Sequence, residues 1–183
     1  MKRFWRTLAA SIALSSLAAC NDRQASAPPP PVALTDEAVG YYCGMLLSEH
    51  DGPKAQIIVE GRDEPFWFSQ VRDGVHFLRS PEETAPVRAF YVTDFASVAR
   101  DRPMSDLRWI AASDAFFVID SATKGGMGAP EAVPFSTAES AALYIGDHGG
   151  RMVRLNEIPD EYVEAPYMPA PDQSKSDAHD DGH

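Results

Sequence analysis

The fold is decided by residues 56–69, which read QIIVEGRDEPFWFS. Residues 56–59 and 65–68 are rich in β-branched and aromatic side chains, and the polar stretch 61–64 between them predicts a hairpin of two strands. Ser69 then suits a helix N-cap, and Val71, Val75 and Leu78 follow at helical spacing. A third strand is predicted over residues 88–94, so this part of the chain predicts a β-β-α-β unit.

The second half of the chain repeats this order of elements. Strands are predicted over residues 108–111, 115–119 and 133–135, Ser136 suits an N-cap, and an alanine-rich helix follows that ends at Gly146 and Gly149-Gly150. A last strand is predicted over residues 152–155, and the Phe68-Ser69 step matches the Phe135-Ser136 step. The sequence therefore predicts an α+β fold of two small repeated β-β-α-β units, residues 38–100 and 101–163, packed together with mostly antiparallel pairing.

Residues 1–19 have the features of a signal peptide. Lys2, Arg3 and Arg6 form a positive n-region, and an apolar run ends in Leu17-Ala18-Ala19-Cys20, which resembles a lipobox. We predict cleavage before Cys20 and lipidation of its thiol. An ordinary secretory signal with a chance cysteine, or an uncleaved anchor, is the alternative, although the apolar run is shorter than the roughly 20 residues of a transmembrane helix.

The segments flanking the two units are expected to lie outside the fold. Residues 20–37 contain four consecutive prolines and predict an extended tether behind the lipidated cysteine. Residues 164–183 are acidic, carry two histidines and have too little apolar content to fold, which predicts a disordered tail. The net charge of −11 becomes more negative when residues 1–19 are removed, which argues against nucleic acid as a partner.

Cys43 is the sharpest local feature. The chain has two cysteines, and if lipid occupies Cys20, then Cys43 has no partner for an intramolecular disulfide. The roles that remain for this thiol are packing, intermolecular pairing, catalysis and metal binding. In an extended segment Cys43 and Met45 point to one face, where thiolate and thioether would suit Cu(I). A small buried cysteine beside a gap-filling methionine is the alternative.

Lys124-Gly125-Gly126-Met127-Gly128-Ala129-Pro130 is a second candidate. A methionine among glycines is either exposed or pressed against another part of the protein at close backbone range. The five histidines form no HExxH motif, so a zinc hydrolase is not predicted. His50 and His148, in predicted loops, stay open as further ligands. No G-x-S-x-G elbow, Walker loop or dinucleotide fingerprint is present.

Together these motifs resemble the NosL family, the accessory lipoproteins of nitrous oxide reductase maturation. The resemblance covers most of residues 40–160 and rests on the lipobox, Cys43-Gly44-Met45, the glycine-rich segment 124–128, Phe-Ser-Thr at 135–137 and Asp-His-Gly-Gly at 147–150. It implies a Cu(I) chaperone rather than an enzyme, with Cys43, Met45 and Met127 as ligands. It also implies two β-β-α-β halves, related to the alkylmercury lyase fold.

The resemblance further implies a destination for the copper. The cargo is expected to reach the copper–sulfide centre of nitrous oxide reductase, beside an ABC-type membrane complex, with the chaperone lipid-anchored in the cell envelope and facing the periplasm. Two other functions stay open. One is a lipid-anchored protein-binding scaffold without metal, in which Cys43 is buried. The other is a cysteine-dependent enzyme like an organomercurial lyase, a chemistry expected to need more than one thiol.

Overall fold

The computed structural model describes residues 27–98 and 104–164. The predicted signal peptide, Cys20 and residues 165–183 of the predicted tail lie outside them. In chain order the elements are β1 (Ala55–Val59), β2 (Phe66–Phe68), α1 (Val71–Arg79), β3 (Val87–Thr93), β4 (Trp109–Ala111), β5 (Phe116–Ile119), β6 (Val133–Phe135), α2 (Ala138–His148), β7 (Arg151–Val153) and α3 (Asp160–Glu164). No helix among the described residues has the length and apolarity needed to cross a membrane.

The strands form two sheets with the orders β2-β1-β3-β4 and β6-β5-β7. Every pair within them is antiparallel. In both the β1-β2-α1-β3 and the β5-β6-α2-β7 segments, the first strand lies at the centre, flanked by the second and the last. The predicted α+β fold with a repeated β-β-α-β unit is confirmed.

Strand β4 departs from the predicted arrangement. It was expected to open the second unit, but it pairs with β3, where Tyr91 lies opposite Ala111 and Thr93 opposite Trp109. This pairing satisfies the backbone groups along an edge of β3 that would otherwise be unpaired. The first sheet therefore contains a strand from beyond the expected boundary at residues 100 and 101.

Helices α1 and α2 each begin one residue later than the sequence predicts. The N-cap of α1 is Gln70 rather than Ser69, and the N-cap of α2 is Thr137 rather than Ser136. Thr137 accepts a hydrogen bond from the N–H of Ser140. Ser136 instead donates its hydroxyl to Asp94, 2.8 Å away, because a buried carboxylate at the end of β3 competes for it.

One apolar core joins the two units. Ile57, Val75 and Phe77 of the first unit belong to the same buried cluster as Phe117 and Ile119 of the second. Burying a side chain of this size contributes about 1.5–3 kcal/mol, so the two units stabilise each other.

Part of the predicted tether lies against the first sheet, which corrects the expectation of a free spacer over residues 20–37. The buried side chain of Gln56 exchanges two hydrogen bonds of 2.9 Å with the backbone of Val32. The hydroxyl of Tyr91 donates to the carbonyl of Pro29 at 2.7 Å, and Leu34 is buried. Residues 29–34 are therefore held by the fold.

Candidate functional site

Cys43 and Met45 lie on a tight hairpin of residues 39–46, named here the thiol hairpin. An antiparallel bridge joins Val39 to Leu46, and the N–H of Gly40 donates to the carbonyl of Met45 at 2.9 Å. Residues 41–43 form a turn, so the extended geometry assumed for Cys43 and Met45 is wrong. The turn leaves Cys43 Sγ 3.9 Å from the backbone carbonyl oxygen of Met45.

Two glycines give the thiol hairpin its shape. Gly44 has a φ of +66°, a left-handed conformation that favours glycine, and its N–H donates to the carbonyl of Gly40 at 2.9 Å. A Cβ on Gly40 would lie 2.4 Å from Cys43 Sγ. Gly40 therefore makes the room into which the thiol folds back.

Both sulfur-bearing side chains of the thiol hairpin reach the surface. Met45 is 38% exposed, and Cys43 is a free, half-buried thiol. Cys43 is therefore not the fully buried small hydrophobe that the alternative interpretation requires. A thiol that is not fully buried can meet an ion or a partner side chain without unfolding of the hairpin.

Aromatic packing holds the thiol hairpin against β2. The N–H of Tyr41 donates to the carbonyl of Trp67 at 2.7 Å, and the Tyr41 ring lies 4.6 Å from that of Phe66. The Tyr42 ring lies 5.7 Å from Phe68. Burial, with a smaller contribution from nearby acidic groups, raises the pKa of Tyr42 to about 12, so this phenol stays neutral at physiological pH.

Met127 lies on a second loop, residues 124–130, named here the methionine loop. An antiparallel bridge between Lys124 and Pro130 closes its base. The N–H of Gly128 donates to the carbonyl of Gly125 at 2.8 Å, and Gly128 has a φ of +79°. Met127 itself is half-buried.

The methionine loop is pressed against the beginning of α1, which decides between the two alternatives for Met127. A Cβ on Gly125 would lie 2.4 Å from Gln70 Oε1 and 2.7 Å from Glu131 Oε2. A Cβ on Gly126 would lie 2.8 Å from the Cβ of His50. Both glycines are required by close approach, because a side chain at either position would displace the loop.

A buried carboxylate lies beneath the methionine loop. Glu131 is fully buried and accepts hydrogen bonds from the N–H groups of Val71 at 3.2 Å, Arg72 at 3.1 Å and Ala132 at 2.8 Å. Burial raises its pKa to about 8 against the opposing effect of these bonds. Glu131 therefore serves as the cap that α1 lacks in its own sequence.

The two loops meet the same junction between β2 and α1. A cleft of about 380 Å³ is lined by Gln70, Arg72, Asp73, Met127 and Ala129. A neighbouring cleft of about 330 Å³ also includes Arg72 and Asp73, together with Tyr42 of the thiol hairpin. Within the described ranges no hydrogen bond joins the two loops directly. The first turn of α1 is their common support.

The histidines occupy different environments. His50 lies beside the methionine loop, whereas His148 is in α2 rather than in the predicted loop and stacks on Tyr144 with ring centroids 4.0 Å apart. His76 is exposed on α1, 6.0 Å from the Tyr42 ring. Among residues 27–98 and 104–164, no three His, Cys, Asp or Glu side chains form a group able to hold a metal ion.

Sequence reasoning did not identify Gln70, Asp73 or Glu131 as parts of this region. The carboxylate of Glu131 and the side-chain amide of Gln70 accept hydrogen bonds from backbone N–H groups that are distant in the sequence. No local motif encodes those contacts. The one available signal was Glu131 itself, a charged residue directly before the apolar run that forms β6.

The NosL family model matches residues 31–163 of the chain. The chain belongs to the NosL family. It is 45% identical over 168 residues to the copper-binding lipoprotein NosL of Achromobacter cycloclastes, covering 91% of this chain and 86% of that protein. It is 30% identical over 128 residues to the copper-binding lipoprotein NosL of Stutzerimonas stutzeri, covering 70% of this chain and 65% of that protein.

A solved NosL structure also resembles the fold. The crystal structure of the copper chaperone NosL from Shewanella denitrificans aligns with a TM-score of 0.62 at 30% identity, covering 72% of this chain and 98% of that one. The names of these NosL proteins describe copper binding or a chaperone and no enzymatic activity, in agreement with the prediction that the chain is not an enzyme. The thiol hairpin and the methionine loop both lie within the matched residues.

Proposed function

We propose that this chain is a lipid-anchored Cu(I) chaperone that binds copper through Cys43, Met45 and Met127. The observation that carries the proposal is the combination of a free, half-buried thiol and an exposed thioether on one hairpin. Thiolate and thioether are soft donors of the kind that Cu(I) prefers. The copper-binding names of the NosL relatives support the choice of metal.

Met127 is proposed as the third donor. It is carried by the methionine loop, which shares the first turn of α1 with the thiol hairpin through the adjoining clefts. A donor from a second loop allows the coordination to open and close without unfolding of either loop.

A chaperone has to release copper as well as hold it. A site of two or three sulfur donors at the surface leaves a free face where a partner's sulfur or imidazole can bind before the first bonds break. Cys43 has to lose its proton to bind, whereas a thioether carries none, so Cu(I) affinity is expected to fall as the pH is lowered.

The proposed destination is the copper–sulfide centre of nitrous oxide reductase, reached beside an ABC-type membrane complex. Lipid on Cys20 would hold the chaperone on the envelope membrane, facing the periplasm. Several acyl chains give stable anchoring where one is marginal, so the carrier would stay close to a membrane-bound partner.

An anaerobic Cu(I) competition titration tests copper binding. The expressed full-length chain, isolated as the cell processes it, competes with a chromophoric Cu(I) chelator. Cys43→Ser is expected to weaken binding by at least the roughly 100-fold that loss of a supporting group can cost, and Met45→Leu and Met127→Leu by less. Met152→Leu is the matched control, because Met152 packs in the second apolar cluster. Equal affinity for wild type and Cys43→Ser would overturn the proposal.

Delivery and anchoring need a test in cells. A strain lacking the chain is expected to make nitrous oxide reductase without its copper–sulfide absorbance, and Cys43→Ser is expected not to restore it. Cys20→Ser is expected to move the protein out of the membrane fraction. Normal copper–sulfide absorbance in the deletion strain would contradict the proposed delivery.

A further inference from the structure

The peptide group that joins Gly126 to Met127 is held from two directions. Its carbonyl oxygen accepts from Nδ1 of His50 at 2.9 Å, and its N–H donates to Oε1 of Gln70 at 3.3 Å. We infer that His50 and Gln70 are positioning residues that orient Met127 for copper. This inference rests on the proposed function of Met127 as a ligand.

Gln70 is itself fixed in place. Its side chain is nearly fully buried, and its amide Nε2 donates to Oδ1 of Asp73 at 2.8 Å. Since a carboxylate can only accept, this bond sets which end of the amide faces Asp73. The amide oxygen is thereby directed at the N–H of Met127.

His50, on the other side of the loop, is also fixed in place. Its backbone carbonyl accepts from Nζ of Lys54 at 2.7 Å, and that ammonium also binds the carbonyls of Asp51 and Gly52. The carbonyl of Gly126 can only accept, so Nδ1 of His50 carries the proton. Nε2 is buried without a hydrogen-bond partner among the described residues.

The glycines of the methionine loop are matched to these two side chains. Gly125 lies so close to Gln70, and Gly126 so close to His50, that no Cβ fits at either position. The close approach brings the loop backbone within hydrogen-bonding distance of both residues. The glycines and the two positioning residues therefore form one fitted contact.

A fixed peptide matters because the methionine loop is intrinsically flexible. Glycine loses more conformational freedom than any other residue when it is ordered, and methionine adds three rotatable bonds. A loop ordered before copper arrives does not have to be ordered by binding, which raises affinity. The two hydrogen bonds thus place the Cα of Met127 in advance, while its thioether stays free to move.

The experiment combines copper binding with the dynamics of the apo protein. His50→Leu and Gln70→Leu remove the two bonds, and His50→Asn is the conservative variant, because the Asn amide can donate from nearly the position of Nδ1. Cu(I) affinity is measured by anaerobic competition, sulfur coordination by X-ray absorption, and opening of the loop by hydrogen exchange of the Met127 amide.

Each Leu variant is expected to bind Cu(I) about 10- to 100-fold more weakly, to lose one sulfur neighbour of copper, and to exchange the Met127 amide faster. His50→Asn is expected to retain most of the affinity. In a Met127→Leu background neither substitution is expected to weaken binding further, because both act through Met127. His50 provides the test if Gln70→Leu does not fold.

Three outcomes would overturn the inference. The first is a loss of affinity that persists in the Met127→Leu background. The second is a nitrogen neighbour of copper that disappears in His50→Leu, which would make His50 a ligand. The third is that Met127→Leu weakens Cu(I) binding whereas His50→Leu and Gln70→Leu do not. This outcome contradicts the inference but not the proposed role of Met127 as a ligand. If Met127→Leu binds like wild type, Met127 is not a ligand, and the proposed ligand set fails first.

Discussion

Glu131 accepts a hydrogen bond from the backbone N–H of Arg72 at 3.1 Å, although 59 residues separate them. The same carboxylate accepts from Val71 and Ala132, and it lies against Gly125. One buried side chain thus ties the first turn of α1 to the base of the methionine loop.

Removing this carboxylate is expected to destabilise the protein strongly. Glu131→Ala leaves three buried N–H groups without an acceptor, at a cost of roughly 3 kcal/mol or more in the free energy of unfolding. Glu157→Ala is the matched control, since Glu157 accepts from the N–H of Arg154 at 2.7 Å in an exposed position, and about 1 kcal/mol is expected there. Chemical denaturation measures both. Equal losses would show that the burial of Glu131 is unimportant.

The stability is also expected to depend on pH through Glu131. Burial raises the folded-state pKa from the ordinary 4.5 to about 8, so between these values the folded state binds more protons than the unfolded one. The free energy of unfolding therefore falls as the pH rises from about 5 to 8. Glu131→Gln cannot titrate and is expected to show a flatter profile in denaturation at pH 5, 6.5 and 8. A steeper decline in the variant would contradict the assignment.

The close fit of the methionine loop predicts opposite effects for two glycine substitutions. Gly126→Ala places a Cβ 2.8 Å from His50 and is expected to cost about 1–3 kcal/mol of stability and to weaken Cu(I) binding. Gly146→Ala, in α2 with no atom within 4 Å of the new Cβ, is expected to stabilise the protein by about 0.5–1 kcal/mol with unchanged affinity. Melting and Cu(I) competition are the measurements. Wild-type binding by Gly126→Ala would argue against a role for the loop.

The exposure of Cys43 predicts a reactive thiol. In the folded apo protein iodoacetamide is expected to modify Cys43 without denaturant, because the side chain is half-buried on a surface hairpin. Bound Cu(I) is expected to protect it, and mass spectrometry reports both results. A Cys43 that is inert until the protein unfolds would favour the metal-free scaffold instead.

The repeated unit was predictable because local patterns encode it. Runs of β-branched and aromatic side chains over residues 56–59 and 65–68, and the same order of elements after residue 115, identify strands and helices through interactions between near neighbours. The helix starts at Ser69 and Ser136 were each wrong by one residue. Asp94 accepts the hydrogen bond of the Ser136 hydroxyl, and Glu131 takes the place of a local cap on α1. Both contacts join residues that are distant in the sequence, so local patterns do not reveal them.

The sequence by itself determined the α+β class, the duplicated β-β-α-β order and the two sulfur-bearing segments around Cys43 and Met127. Each of these depends on residue type and short spacing. Only the tertiary structure decided that β4 joins the first sheet, that Cys43 lies on a turn, and that Gln70 and His50 hold the peptide before Met127. The reason is physical: a backbone group bonds whichever partner the packed chain brings within about 3 Å, and separation along the sequence does not reveal that partner.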